Sequence, residues 1–146
     1  MNICFIGGGV MAEALLRGIL DKEISKPSDL LVCDPSDERR IYLETEFSVN
    51  TSAENDVISG FDGLIILAVK PQTISKVFPS ILGKIQDDST VMSIVAGLTS
   101  ESINQGLDHS RIVRVMPNTP SQIGLGISVS YIIAERDITD TFQKHI

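Results

Sequence analysis

Ile3-Cys4-Phe5-Ile6-Gly7-Gly8-Gly9-Val10-Met11-Ala12 is the stretch from which the rest of the chain can be read. Four consecutive apolar residues without polar alternation fit a short strand buried on both faces. The three glycines end that strand at once. Apolar residues then recur at Ala12, Leu15, Leu16, Ile19 and Leu20, the spacing of one helical face. The turn reads G-x-G-x-x-A between a strand and a helix. In that setting Gly7 permits the tight turn, Gly9 lets the backbone approach a pyrophosphate, and Ala12 lets the helix pack close to the strand. The helix end offers N–H donors and a partial positive charge to an anion.

Outward from this unit the pattern keeps alternating. Leu30 to Cys33 reads as a second strand, followed by Asp34-Pro35 and by Ser36 as the cap of a polar helix from Asp37 to Glu46. Phe47 to Asn50 reads as a short third strand, with Ser52 capping a further helix to Ser59. Leu64 to Val69 is the most apolar strand, ended by Lys70 and by Pro71 at the first turn of the next helix. That helix carries Ile74, Val77, Phe78, Ile81 and Leu82. Val91 to Val95 is a strand, Thr99 or Ser100 caps a short helix, and Ile112 to Met116 and Ile127 to Ile133 are the last strands. A final helix starts near Thr139. Alternating strands and helices predict an α/β, doubly wound Rossmann-type fold: a mostly parallel sheet with helices on both faces. Ligands of such sheets bind at the carboxyl ends of the strands.

The 146 residues fit one dinucleotide-binding domain, spanning 1–146, and 42% apolar residues exclude a disordered chain. A net charge of −7 argues against a nucleic-acid or anionic-membrane partner, since both need a positive footprint. It leaves room for one anion held by backbone N–H groups. No membrane-length apolar run and no basic leader is present, which predicts a cytoplasmic protein. Cys4 and Cys33 lie in apolar runs without metal-ligand spacing and read as buried, reduced thiols.

Asp34 ends the second strand 22 residues after Ala12, close to the ~20 expected of a carboxylate that accepts adenosine ribose hydroxyls. Such a carboxylate repels a 2′-phosphate and favours NAD, while Arg39 and Arg40 work against that preference. Lys70 reads as part of a backbone turn rather than as an acid or base. His109 and His145 read as surface residues, and Tyr42 and Tyr131 have no partner that suggests chemistry. No residue is assigned as a catalytic acid, base or nucleophile, and no metal site is expected.

The strings Phe5 to Leu15, Leu67-Ala68-Val69-Lys70-Pro71-Gln72, Ala96-Gly97 and Val113 to Pro120, in this order, make the sequence resemble the N-terminal domain of pyrroline-5-carboxylate reductases. The resemblance implies hydride transfer from NADPH or NADH to the C=N carbon of 1-pyrroline-5-carboxylate, giving L-proline in proline biosynthesis. It places Ile6, Gly7, Gly8, Gly9, Val10 and Met11 at the pyrophosphate, with Asp34 and Asn55 on the adenosine side. Ala68, Val69, Lys70 and Pro71 line the nicotinamide ribose, Val95 and Ala96 lie beside the nicotinamide, and Asn118 and Thr119 approach the substrate. Relatives that use NADP often carry an Arg where Pro35 stands, which shifts the expectation towards NAD. The resemblance also implies a helical C-terminal domain beyond residue 146 that forms a homo-oligomer and binds the substrate carboxylate. On that reading the 146-residue chain binds dinucleotide but turns over poorly. Two alternatives stay open: a dinucleotide-binding or sensor module without chemistry, and a reductase of another cyclic imine.

Overall fold

The computed structural model describes residues 1–116 and the backbone of 129–133. Seven strands among the described residues form one sheet: β1 (Ile3–Ile6), β2 (Leu30–Cys33), β3 (Asn50–Ser52), β4 (Leu64–Leu67), β5 (Thr90–Ser93), β6 (Ile112–Met116) and β7 (Val129–Ile133). Their spatial order is β3-β2-β1-β4-β5-β6-β7. The first six run parallel, with Ile6 beside both Cys33 and Leu67, and β7 lies antiparallel to β6. The chain order reverses between β1 and β4, so the crevice above their carboxyl ends is the topological switch point.

Four α-helices among the described residues cover this sheet: α1 (Val10–Asp21), α2 (Asp37–Phe47), α3 (Ile74–Ile81) and α4 (Ser100–Leu107). Side chains of a strand alternate between faces, and β1 shows the consequence. Ile3 and Phe5 pack with Ala12 and Leu16 of α1 and Leu43 and Phe47 of α2. Cys4 and Ile6 point the other way, into Ile74, Val77 and Ile81 of α3 and Ile103 and Leu107 of α4. Both faces are therefore covered, as the continuous apolar run of β1 requires. Burial of each large side chain contributes roughly 1.5–3 kcal/mol, and Phe5 and Leu16 are fully enclosed. α3 and α4 touch through Gly106, where a Cβ would lie 2.3 Å from the Phe78 ring. Two helix starts follow local capping chemistry. Ser36 Oγ accepts the Arg39 N–H at 3.2 Å, and Thr99 Oγ1, rather than Ser100, accepts the Ser102 N–H at 3.0 Å.

Several boundaries differ from the sequence reading. The third strand is Asn50–Ser52 rather than Phe47 to Asn50, because α2 runs on to Phe47 and buries that ring. Ser48 then turns the chain with φ 57°. The helix expected after Ser52 is a single 3-10 turn, Asn55–Ile58, since Ser52 Oγ accepts the Glu54 N–H in a local turn. β5 stops at Ser93, whose Oγ accepts the Val95 N–H at 3.2 Å and bends the backbone away from the ladder.

His109 is a larger correction. It is buried rather than at the surface, and its Nε2 donates to the Ser89 carbonyl at 2.8 Å. Ser89, itself fully buried, donates from Oγ to the Phe61 carbonyl. A short polar belt thus ties the loops at the amino ends of β4, β5 and β6. Cys4 and Cys33 are buried free thiols with sulfurs 3.9 Å apart. Their hydrogen bond and the surrounding apolar core push the Cys4 thiol well above its ordinary range. The expected helix near Thr139, and His145, lie outside the described residues.

Candidate functional site

A cleft of about 440 Å³ opens at the carboxyl ends of β1, β2 and β4. Ile6, Gly7, Gly8, Gly9, Asp34, Asn55, Ala68, Val69 and Lys70 line it. The glycines differ in what requires them. Gly7 has φ +100°, and a Cβ there would sit 2.8 Å from the Ala68 carbonyl oxygen, so the turn admits only glycine. At Gly8 a Cβ would meet Leu43 Cδ1 at 2.9 Å and Val32 Cγ1 at 3.1 Å, so packing favours glycine here, which the fingerprint does not foretell. Gly9 faces open space, with no atom within 4 Å of a would-be Cβ. That bare backbone stands at the cleft wall where α1 begins.

Asp34 is partly committed to this turn. Its Oδ2 accepts the Gly8 N–H at 2.9 Å and its Oδ1 accepts the Ser36 N–H at 2.9 Å. Each oxygen keeps a second lone pair with which it can accept a further donor. Arg39 and Arg40 are turned to other work. The Arg40 guanidinium donates to the Asp34 carbonyl at 2.8 Å and pairs with Asp37. Arg39 lies across the glycine turn, donating from Nε to the Gly8 carbonyl and from Nη2 to the Gly9 carbonyl at 3.2 Å. The same Nη2 meets Glu13 Oε2 at 2.6 Å, and the guanidinium carbon stands 4.9 Å from the centre of the Tyr42 ring. Tyr42, for which the sequence showed no partner, donates its hydroxyl to Glu13 Oε1 at 2.9 Å. Burial pushes the Glu13 carboxyl upward, but the hydrogen bonds from Arg39 and Tyr42 outweigh it and hold the group below its ordinary range.

At the Asn55 end of the cleft, Asn55 Nδ2 donates to Ser80 Oγ at 3.0 Å, and Ser80 Oγ donates to the Val77 carbonyl. The sequence reading missed Thr73, Lys76, Val77 and Ser80 of the cleft wall, together with Pro35, Ala53 and Glu54. The four residues from 73 to 80 stand at i, i+3, i+4 and i+7, so a mixed polar stripe beside the apolar face of α3 was the available signal.

Five expected contacts fall outside the cleft. Val10 opens α1 with its side chain exposed, and neither that side chain nor Met11 forms part of the wall, although the Val10 backbone follows directly on Gly9. Pro71 is exposed in a 3-10 turn before α3. Val95 and Ala96 follow β5, one strand beyond β4, and the cleft does not reach that far. Asn118 and Thr119 lie outside the described residues.

Residues 2–97 match the family described as NADP oxidoreductase, coenzyme F420-dependent. The chain belongs to this family. It is also 37% identical over 128 residues to the pyrroline-5-carboxylate reductase of Synechocystis, covering 88% of this chain and 48% of that protein. Among solved structures, it is similar to a pyrroline-5-carboxylate reductase from Coxiella burnetii at 29% identity and a TM-score of 0.83, over 98% of this chain and 52% of that one. The Plasmodium falciparum pyrroline carboxylate reductase, solved with NADP bound, matches at 27% identity and a TM-score of 0.79, over 99% of this chain and 52% of that one. The chain spans about half the length of the curated relatives it matches. The doubly wound fold read from the sequence is the fold these relatives share.

Proposed function

We propose that this chain is the cofactor-binding part of an NAD(P)H-dependent reductase that converts 1-pyrroline-5-carboxylate to L-proline. The observation that carries the reading is the bare backbone of Gly9, open to a cleft at the β1/β4 switch point. The open space over Gly9 lets a pyrophosphate approach the backbone against the amino end of α1. Asp34 accepts the ribose hydroxyls through its remaining lone pairs, and the Ala68–Lys70 wall confines the nicotinamide ribose.

A reduced nicotinamide, when bound, supplies the hydride. The residues of this chain orient it, and the apolar wall of Ile6, Ala68 and Val69 keeps water from one side of the cleft. An imine carbon is already electrophilic once protonated, so alignment of donor and acceptor accounts for most of the work and no catalytic triad is needed. The groups that hold the substrate carboxylate and make the oligomer belong, on this reading, to the part of the relatives' length that this chain does not span.

NADH is the preferred coenzyme, because Asp34 stands at the ribose position and both nearby arginines are engaged elsewhere. A cytoplasmic location agrees with two reduced thiols in the core. No helix among the described residues is long and apolar enough to cross a membrane. Titrating the protein with NADH and NADPH, followed by nicotinamide fluorescence, tests the proposal. Saturable binding of either is expected, tighter for NADH, and absence of binding to both refutes it.

A further inference from the structure

Every peptide plane of the glycine turn has an anchor. Gly7 N–H donates to the Cys33 carbonyl at 2.8 Å, and Gly8 N–H donates to Asp34. The next two planes are held from their carbonyl side. Arg39 takes the Gly8 carbonyl and shares the Gly9 carbonyl with the Glu13 N–H of the first helical bond. In a trans peptide the C=O and the following N–H point in opposite directions. Binding the Gly8 and Gly9 carbonyls therefore aims the Gly9 and Val10 N–H groups away from the guanidinium. Arg39 is not part of the cleft wall, whereas Gly8 and Gly9 are.

We propose that Arg39 is a positioning residue for the pyrophosphate: from outside the cleft it fixes the two glycine peptides whose N–H groups receive the anion. The inference rests on the dinucleotide reading above. Glu13 and Tyr42 fix Arg39 in turn, the first by an ion pair and a hydrogen bond with each partner, the second by stacking under the guanidinium. Arg39 suits the task because its planar fork reaches two carbonyls and a carboxylate at once, which a lysine ammonium on a flexible stem does not. It also neutralises Glu13, a carboxylate in the first turn of α1 beside the anion site.

A clasp on the backbone serves NADH and NADPH alike, whereas an arginine that reached a 2′-phosphate would serve only NADPH. The test is equilibrium binding of both nucleotides to wild type, Arg39→Met, Arg39→Lys and the double variant Arg39→Met/Glu13→Gln, each shown by circular dichroism to be folded at the working temperature. Arg39→Met is expected to weaken both nucleotides by the same factor, roughly tenfold. Arg39→Lys, which retains the charge, is expected to recover little of the loss. The double variant is expected to stay weak, since removing the Glu13 charge does not restore the carbonyl anchors.

Loss confined to NADPH overturns the proposal, as does recovery to wild-type affinity in Arg39→Lys or in the double variant. Unchanged affinity in Arg39→Met overturns it while leaving the dinucleotide reading intact. Failure of the wild type to bind either nucleotide overturns both.

Discussion

Alanine placed in turn at Gly7, Gly8 and Gly9 separates folding from binding within three adjacent residues. At Gly7 the new methyl lies 2.8 Å from a backbone oxygen that β4 holds in place, and φ is +100°. The left-handed backbone costs about 1–2 kcal/mol and the steric conflict about 1–3 kcal/mol more. A loss of roughly 2–5 kcal/mol lowers Tm by about 6–20 °C in a domain of this size. At Gly8 the methyl meets Leu43 Cδ1 and Val32 Cγ1, side-chain ends that can give, so about 1–2 kcal/mol is expected.

At Gly9 there is no clash and φ is −73°, a value alanine adopts without strain. Only the modest preference for glycine over alanine as helix cap is lost, a few tenths of a kcal/mol up to about 1 kcal/mol. Binding should run in the opposite order. A Cβ at Gly9 occupies the space through which the pyrophosphate reaches the backbone, and the loss of one charge-assisted hydrogen bond, about 2 kcal/mol, weakens NADH roughly thirtyfold. Thermal melting by circular dichroism and NADH fluorescence titration read the two quantities. Wild-type affinity in Gly9→Ala would refute the placement of the pyrophosphate. A wild-type Tm in Gly7→Ala would refute the account of the turn.

Asp34→Ala removes the acceptor of the Gly8 and Ser36 N–H groups, so it should cost about 1–3 kcal/mol in denaturant unfolding as well as the discrimination between NADH and NADPH. If discrimination is unchanged, Asp34 is not the ribose carboxylate. Gly106→Ala forces a methyl to 2.3 Å from the Phe78 ring and should lose about 1–3 kcal/mol by overpacking, restored in part by Phe78→Leu. Additive losses in the double variant would show that the two residues do not press on each other. Glu13 has a folded pKa below its ordinary value, so its contribution to stability is present above the unfolded carboxyl value of about 4.3 and fades as pH falls through the folded value. The Tm gap between wild type and Glu13→Gln should therefore be widest near neutral pH and close in acid. A gap that widens in acid would reverse the sign of this linkage.

What the sequence determined about this protein rests on interactions within a few residues along the chain. The apolar run of β1, the glycine turn, the caps Ser36 and Thr99 and the alternation of strands with helices are all written in neighbours of that kind. They suffice for a doubly wound sheet and for a glycine turn at its rim. Where two local readings compete, local rules are not enough. Phe47 joins α2 instead of starting β3, because the sheet face offers its ring a buried seat. His109 looks polar and exposed in its loop, yet Ser89 waits for it across the amino edge of the sheet.

The site shows the same division. Gly7 and Gly9 are legible because their constraints are conformational and local. The need for glycine at Gly8 is set by Leu43 and Val32, and Arg39 reaches Gly8, Gly9 and Glu13 from 26 to 31 residues away. The strand order brings β2 and the start of α2 beside the β1 turn, and only that order makes these groups neighbours. Tertiary structure thus decided how the glycine turn is held, because those anchors are contacts between elements that no periodicity within one element can encode.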